Sequence, residues 1–472
     1  MDVYESALDL IGGTPLVRIR TAGAAALYAK LEYLSVGGSA KDRIGRSMIE
    51  RAEKDGLLGP GGTVVEATSG NTGVGLALVA AEKGYRTVLV VSDRVSKEKV
   101  DTLRAFGAEV VVKPSNRPRE HPDHPMRFAA RLAETTPGAW LANQYDNPAN
   151  PEAHYLTTGP EIWRQTQGRV THLVSCIGTG GTISGAGRYL KEAGDGTLQV
   201  IGADPASSLY AGGDGRPYFI EAAGHFLHPD TAEDVWPTSY HPDVVDRVVP
   251  VADREALHTL RQLARTQGLL VGGSSGTALA AAHRVAAGAG ADAVVVVILP
   301  DSGRQYLSKY FNDAWMLGLG FLDGDAGAVR VADAVTGDSL ASPLPYLNSR
   351  TTVGDALAAL RARVRDGGAD PVLPAGPCPT GPDRRPMAPE LTGSVTLAAL
   401  ESALRNGTAD PSDQVADHLE APLLTFGHGE PAEDAAGRLA RHPHDTAVVL
   451  ADGCAQALIT SSALRTALST PR

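Results

Sequence analysis

From residue 63 onward, short β-rich runs alternate with amphipathic stretches. "TVVEAT" (63–68), "RTVLVVS" (86–92), "AEVVVK" (108–113), "HLVSCIG" (172–178), "QVIGAD" (199–204) and "AVVVVILP" (293–300) are largely apolar along their length, the pattern of strands covered on both faces. Between them, "SKEKVDTLRAFG" (96–107) and "DREALHTLRQLARTQG" (253–268) repeat apolar positions at helical spacing. The alternation predicts a doubly wound α/β sheet. Ligands of such sheets sit beyond the carboxyl ends of the strands, so the loops after these runs are where chemistry is expected.

Residues 205–245 break the pattern with a segment rich in Gly, aromatic and His residues, and a loop of that length is more often functional than inert. After "SKYFNDAWMLGLGF" (308–321) the composition shifts to Ala, Asp, Gly and Pro. The prolines of "PVLPAGPCPTGPDRRPMAPE" (371–390) speak against a helix or a central strand there. A first domain is therefore expected over 1–321, a linker over 322–340 and a second domain over 341–472. The second domain reads as two imperfect copies of one unit. "TTVGDALAALRARVRDGGADPVLPAG" (351–376) with "LTGSVTLAALESAL" (391–404) parallels residues 429–468, each running helix, β-rich stretch, helix.

Bulk properties narrow the function classes. The 472 residues exceed one ordinary core, and 43% hydrophobic with 21% charged residues describes a globular chain. A net charge of −11 without Lys/Arg clusters argues against nucleic acid or an anionic membrane as partner. Cys176, Cys378 and Cys454 are far apart and form no CxxC, so neither a disulfide framework nor a zinc site is expected, and a reducing cytoplasm fits. No leader-like or membrane-spanning apolar segment is evident.

Four Gly- and hydroxyl-rich segments carry the candidate chemistry. In "SVGGSAKDR" (35–43), small residues flank Lys41 and leave room for a bulky group beside its amine. "TSGNTGVG" (68–75) joins a strand to a helix N-terminus, where unpaired N–H groups and the helix dipole suit a carboxylate or phosphate. "GTGGT" (178–182) repeats that arrangement with three glycines and two threonines. It is neither a GxGxxG fingerprint nor a Walker loop, and a phosphate monoester fits it better than a pyrophosphate. "GGSSG" (272–276) opens a further helix. An amine, a carboxylate loop and a phosphate cup together call for an aldehyde with a phosphate, which pyridoxal 5′-phosphate provides, and for an amino-acid substrate.

The set IGGTPLV, GGSxKDR, TSGNTG, GTGGT and GGSxG, in this order from residue 11 to residue 316, resembles the cystathionine β-synthase and cysteine synthase family of fold-type II pyridoxal-phosphate enzymes. "NQYDNPANPEAHYLTTGPEIW" (143–163) and "FNDAWM" (311–316) resemble its bacterial cystathionine β-synthases. The tail resembles, loosely in its first copy, the paired CBS domains of a Bateman module. The resemblance implies two doubly wound α/β subdomains followed by a smaller α+β domain pair. It also implies a homodimer or homotetramer, and S-adenosylmethionine or a nucleotide as a ligand of the tail. No counterpart of the haem-binding extension of animal members is seen, so haem is not expected.

Carried over residue by residue, the resemblance makes Lys41 the Schiff-base lysine and the base for the Cα proton. Gly178, Thr179, Gly180, Gly181 and Thr182 cup the phosphate, Asn71 faces the phenolic oxygen and Ser274 the ring nitrogen. Thr68, Ser69, Gly70, Thr72 and Gln144 grip the substrate carboxylate. The implied reaction is β-replacement on serine or an O-activated serine through an aminoacrylate, with homocysteine as the thiol. Cysteine synthase, using O-acetylserine and sulfide, or a related β-replacement with another nucleophile, is the alternative. A regulatory sensor with a vestigial core is the alternative of another class, against which intact Lys41, Asn71 and Ser274 speak.

One segment departs from the family. Where its members carry EGxG at the mouth of the site, this chain reads Glu221-Ala222-Ala223-Gly224-His225. Alanine costs the freedom to take positive φ and His225 adds a titratable ring, so Ala222, Ala223, Gly224 and His225 are a candidate specificity loop. "HPDHP" (121–125) reads as a loop and not as a metal site. Trp163 and Trp315 read as packing residues, and Asp42 and Arg43 as cap and solvated charge of the helix that Lys41 begins.

Overall fold

The computed structural model describes residues 3–68, 70–93, 95–115, 117–325, 327–335, 344–365, 372–377 and 384–470. Ser69, Cys378 and most of the 322–340 linker's last third lie outside them. The chain divides into two compact units, Met1–Phe311 and Asn312–Arg472.

The first unit is built on two sheets. One holds β1 (Leu16–Ile19), β2 (Ala26–Leu31), β7 (His172–Cys176), β8 (Gln199–Pro205), β9 (Arg247–Val251) and β10 (Val294–Leu299) in the order β1-β2-β10-β7-β8-β9. The other has the order β5-β4-β3-β6, from β3 (Thr63–Ala67), β4 (Arg86–Ser92), β5 (Glu109–Lys113) and β6 (Ala139–Leu141). All neighbouring pairs are parallel except β1 with β2. The apolar runs read from sequence are six of these strands: β3 is buried at every position, whereas β5, at the edge of its sheet, has no buried position and is not covered on both faces. The helices are α1 (Lys41–Lys54), α2 (Asn71–Lys83), α3 (Lys97–Ala105), α4 (Pro125–Thr135), α5 (Ala149–Ala153), α6 (Gly159–Gln165), α7 (Gly181–Ala193), α8 (Asp253–Gln267) and α9 (Gly273–Gly288). Ile44, Met48 and Ile49 of α1 pack with Leu76 and Val79 of α2 in one core, while Ile183 and Leu190 of α7 pack with Leu173, Val200, Val296 and Ile298 in another. Residues 206–246 contain only short 3-10 turns, as the weak periodicity implies.

The second unit begins with α10 (Asp313–Gly318) and repeats one plan twice. The first copy runs β11 (Leu347–Asn348), α11 (Val353–Arg365), β12 (Val372–Gly376), β13 (Gly393–Thr396) and α12 (Leu397–Arg405). The second runs β14 (Leu424–Gly427), α13 (Ala432–Leu439), β15 (Thr446–Ala451), β16 (Cys454–Thr460) and α14 (Ser461–Ser469). In each copy the first two strands are parallel and the third is antiparallel to the second, so the tail is the small α+β pair that the duplication implied. One expectation fails: Pro374 lies inside β12, the central strand of its sheet. Thr392 N donates to Ala375 O on the β13 side and Ser349 N to Gly376 O on the β11 side. The alternation turns the Pro374 nitrogen toward β11, which pairs only with Ala375 and Gly376, so no ladder bond is lost there.

Among the described residues no helix is long and apolar enough to cross a membrane, and no group of three or more His, Cys, Asp or Glu is placed to hold a metal ion. His124 Nδ1 accepts from Met126 N at 3.3 Å and caps α4, which accounts for the HPDHP loop.

Candidate active site

Lys41 opens α1, and its main-chain N–H donates to Ser39 Oγ at 3.2 Å. Its side chain reaches two adjoining cavities, one of about 290 Å³ and one of about 30 Å³. Burial holds its pKa below the ordinary lysine value, while the Asp301 carboxylate works in the opposite direction. The two residues after it are not solvated as expected. Asp42 is fully buried, accepts from Gly37 N at 2.7 Å, and burial raises its carboxyl to about 6. Arg43 bridges Glu32 (Nε to Oε2, 2.7 Å) and Glu161 (Nη1 to Oε1, 2.8 Å), and Lys30 adds a second cation at 2.6 Å from Glu161. The KDR sequence therefore fixes the helix in the interior on both sides of the amine's own turn.

TSGNTG follows β3 and starts α2, with Gly70 at φ +121°. Thr68 Oγ1 accepts from Gly70 N at 3.0 Å and Gly73 N at 3.4 Å, which shapes the turn. Thr72 Oγ1 donates to Gln144 Oε1 at 2.5 Å, and Gln144 Nε2 donates to Ala67 O at 3.2 Å. Asn71 Nδ2 donates to Asp301 Oδ2 at 2.8 Å, and its buried Oδ1 has no partner among the described residues.

GTGGT follows β7 and starts α7, with Gly180 at φ +86°. Ser274 lies buried in the first turn of α9. Lys41, Asn71, Thr179, Thr182 and Ser274 all line the smaller cavity, together with the Gly178 and Gly180 backbone. Gly181 itself is not on that lining; its missing β-carbon makes room for Asn150. Segments hundreds of residues apart thus converge at the carboxyl ends of β3, β7 and β10.

The larger cavity continues outward from Lys41, Asn71, Thr72, Gln144 and Thr179 to Arg117, Arg119, Asp146, Glu233 and the 222–228 segment. Ala222 keeps positive φ (+60°) despite its β-carbon, and Gly224 stands at +74°. Gly224 N donates to Ile177 O at 2.7 Å, which holds the loop against the cup. His225 Nε2 lies 2.6 Å from Asp234 Oδ1, and the ring stacks on Trp236 at 4.8 Å and 9°. Thr68 and Gly70 flank this cavity through the turn rather than on its lining, and Ser69 is outside the described residues.

The family described as pyridoxal-phosphate dependent enzyme matches residues 7–301. The cystathionine β-synthase of Oryctolagus cuniculus is 40% identical over 430 residues, spanning 86% of this chain and 72% of that relative. That of Dictyostelium discoideum is 35% identical over 429 residues, 88% of this chain and 81% of the relative. Among solved structures, the O-acetylserine-dependent cystathionine β-synthase of Helicobacter pylori has a TM-score of 0.60 at 36% identity, covering 66% of this chain and 99% of its own. An O-ureido-L-serine synthase has a TM-score of 0.60 at 36% identity, with the same 66% and 99% coverage.

The chain belongs to the cystathionine β-synthase family of pyridoxal-phosphate-dependent enzymes. Its donor set fits that cofactor. In a cystathionine β-synthase relative, pyridoxal phosphate calls for an amine for its aldehyde, an anion cup for its phosphate and polar groups along the ring edge. Lys41, a glycine-framed helix N-terminus with two threonines, Ser274 and an unpaired buried Asn71 Oδ1 supply them in one cavity.

Several site residues escaped sequence reading. Asp301, fully buried, takes Asn71 Nδ2 and the Tyr306 hydroxyl (2.5 Å). It lies two residues past the end of β10, so the rule that sites lie beyond strand ends pointed to it. Asn150 and His154 reach the two cup threonines, and no local pattern marks them.

Proposed function

We propose that the chain replaces the β-substituent of serine, or of an O-activated serine, with the thiol of homocysteine, giving cystathionine. The identity to enzymes named cystathionine β-synthase supports the reaction class. The observation that carries the choice of thiol is the wall of the larger cavity, where Arg117 and Arg119 stand with Asp146 and Glu233. A zwitterionic nucleophile needs both signs of charge; sulfide needs neither. O-acetylserine as first substrate is the second reading, favoured by the likeness to the H. pylori enzyme.

Lys41 would hold pyridoxal phosphate through its amine, GTGGT its phosphate, Asn71 its phenolic oxygen and Ser274 its ring nitrogen. Bound there, the cofactor supplies an electron sink for charge developing at the substrate Cα. Thr68, Ser69, Gly70, Thr72 and Gln144 orient the substrate by its carboxylate. Lys41, whose pKa burial lowers, accepts the Cα proton as a free amine. The neutral Ser274 hydroxyl does not force a proton onto the ring nitrogen, which favours loss of the β-substituent over transamination. The 222–225 loop with His225 faces the side from which the thiol arrives.

Two further readings concern assembly. The proposed assembly is a homodimer or homotetramer, as the family resemblance implies. For the second unit, the proposed ligand is S-adenosylmethionine or a nucleotide, which titration calorimetry on the full chain tests.

Mass spectrometry of products from serine and O-acetylserine, each offered with homocysteine and with sulfide in competition, tests the reaction. Cystathionine as the main product is expected; cysteine as the only product overturns the proposal. Lys41→Ala should leave a folded chain without turnover or borohydride-trapped cofactor.

A further inference from the structure

Residues 149–158 lie behind the cup and have no part in the function described so far. Helix α5 is followed by a π-helical turn, His154–Thr158, a device that often marks functional segments. Asn150 (1% exposed) and His154 (0%) are buried there. Each touches one cup hydroxyl from the side away from the cavity. Asn150 Nδ2 is 3.1 Å from Thr179 Oγ1, and His154 Nε2 is 3.1 Å from Thr182 Oγ1. The approach depends on glycine, because a β-carbon on Gly181 would collide with Asn150 Oδ1 and one on Gly185 with Pro151 O.

The direction of the Asn150 hydrogen bond follows from its partners, and that of the His154 bond depends on the tautomer. Asn150 Nδ2 also lies 2.7 Å from Gln144 O, a pure acceptor, so the nitrogen end of the amide is fixed. Its second hydrogen then meets Thr179 Oγ1, which accepts and keeps its own proton for the cavity side. His154 is neutral, since burial and the neighbouring Lys41 charge hold its pKa at about 3. Its Nδ1 lies 2.8 Å from the buried Thr158 hydroxyl. Two tautomers satisfy this chain. In one, Thr158 donates to Nδ1 and Nε2–H donates to Thr182, leaving the Thr182 proton for the cup. In the other, Thr182 donates backward and turns a lone pair toward any anion, which is repulsive.

We propose that Asn150 and His154 are positioning residues that fix both cup hydroxyls as donors, so that the loop offers an anion two O–H groups and no opposing lone pair. The proposal rests on the reading that GTGGT takes the cofactor phosphate. Each oriented donor to a charged acceptor is worth about tenfold in affinity.

The test compares the affinity of full-length apo-protein for pyridoxal phosphate and for pyridoxal, which lacks the phosphate. Wild type should prefer the phosphate form strongly. Asn150→Leu and His154→Leu should each cut that preference about tenfold with pyridoxal affinity unchanged, and His154→Gln, which keeps an N–H at the Nε2 position, should restore it. Preference unchanged in both Leu variants overturns the proposal while the cup reading stands. A wild type without preference overturns the cup reading and the proposal with it. Independently of any variant, ¹⁵N NMR of the wild-type holoprotein should show His154 as the Nε2–H tautomer, and the Nδ1–H form would refute it.

Discussion

Gly45 and Gly75 meet backbone to backbone: a β-carbon on Gly45 would lie 2.5 Å from the Gly75 carbonyl carbon. The contact brings α1 against α2, and so Lys41 beside Asn71. Gly45→Ala should push the helices apart, destabilise the chain by about 1–3 kcal/mol and lower cofactor occupancy. Thermal unfolding and the absorbance of bound cofactor read the two effects; unchanged occupancy would show that the crossing does not set the amine's position.

Glu66 is buried beneath Gln144, whose main-chain N–H approaches Oε1 at 3.4 Å, and burial raises its carboxyl to about 8. The folded chain thus keeps a proton that the unfolded chain releases near the ordinary value of 4.5. Its stabilising contribution is complete below that value and is lost as pH rises toward 8. Glu66→Gln should flatten this slope and be more stable than the parent at the alkaline end by on the order of 2–4 kcal/mol. Denaturant midpoints across the window measure it, and parallel curves would contradict it.

Ala222 pays for a left-handed backbone that its β-carbon disfavours. Ala222→Gly should stabilise the chain by about 1 kcal/mol, read in chemical denaturation. Gly224→Ala should do the reverse, because a β-carbon there would come within 2.6 Å of the Tyr218 hydroxyl.

Arg117 is exposed on the wall of the larger cavity, whereas Arg119 Nη1 donates to Val235 O at 3.3 Å and ties down the opposite loop. Arg117→Ala should raise KM for homocysteine about tenfold with kcat and sulfide use little changed. Steady-state kinetics with both nucleophiles decides, and an equal effect on sulfide would count against carboxylate recognition there.

What sequence showed of this protein follows the physics of each signal. β3, β4, β7, β8 and β10 are sealed on both faces, and their apolar runs stand out. β2 does not stand out, because Lys30 sits inside it, made tolerable by Glu161 from far along the chain. The motif glycines were legible because turns and close contacts demand them locally. Arg43, Asn150 and His154 were not legible as site neighbours, since the partners that justify a buried polar group are remote in sequence and appear only after folding. Pro374 misled for the same reason: its tolerance depends on how short β11 is.

The charge cluster around Arg43 has a mechanical meaning. Arg43 reaches Glu32, just past β2 of the six-stranded sheet, and Glu161 on α6, while the helix that carries it packs on α2, which follows β3 of the four-stranded sheet. This stretch of α1 therefore ties the two sheets to each other through one guanidinium and one helix contact. Lys41 lies two residues from that tie, so its amine is anchored to both sheets at once.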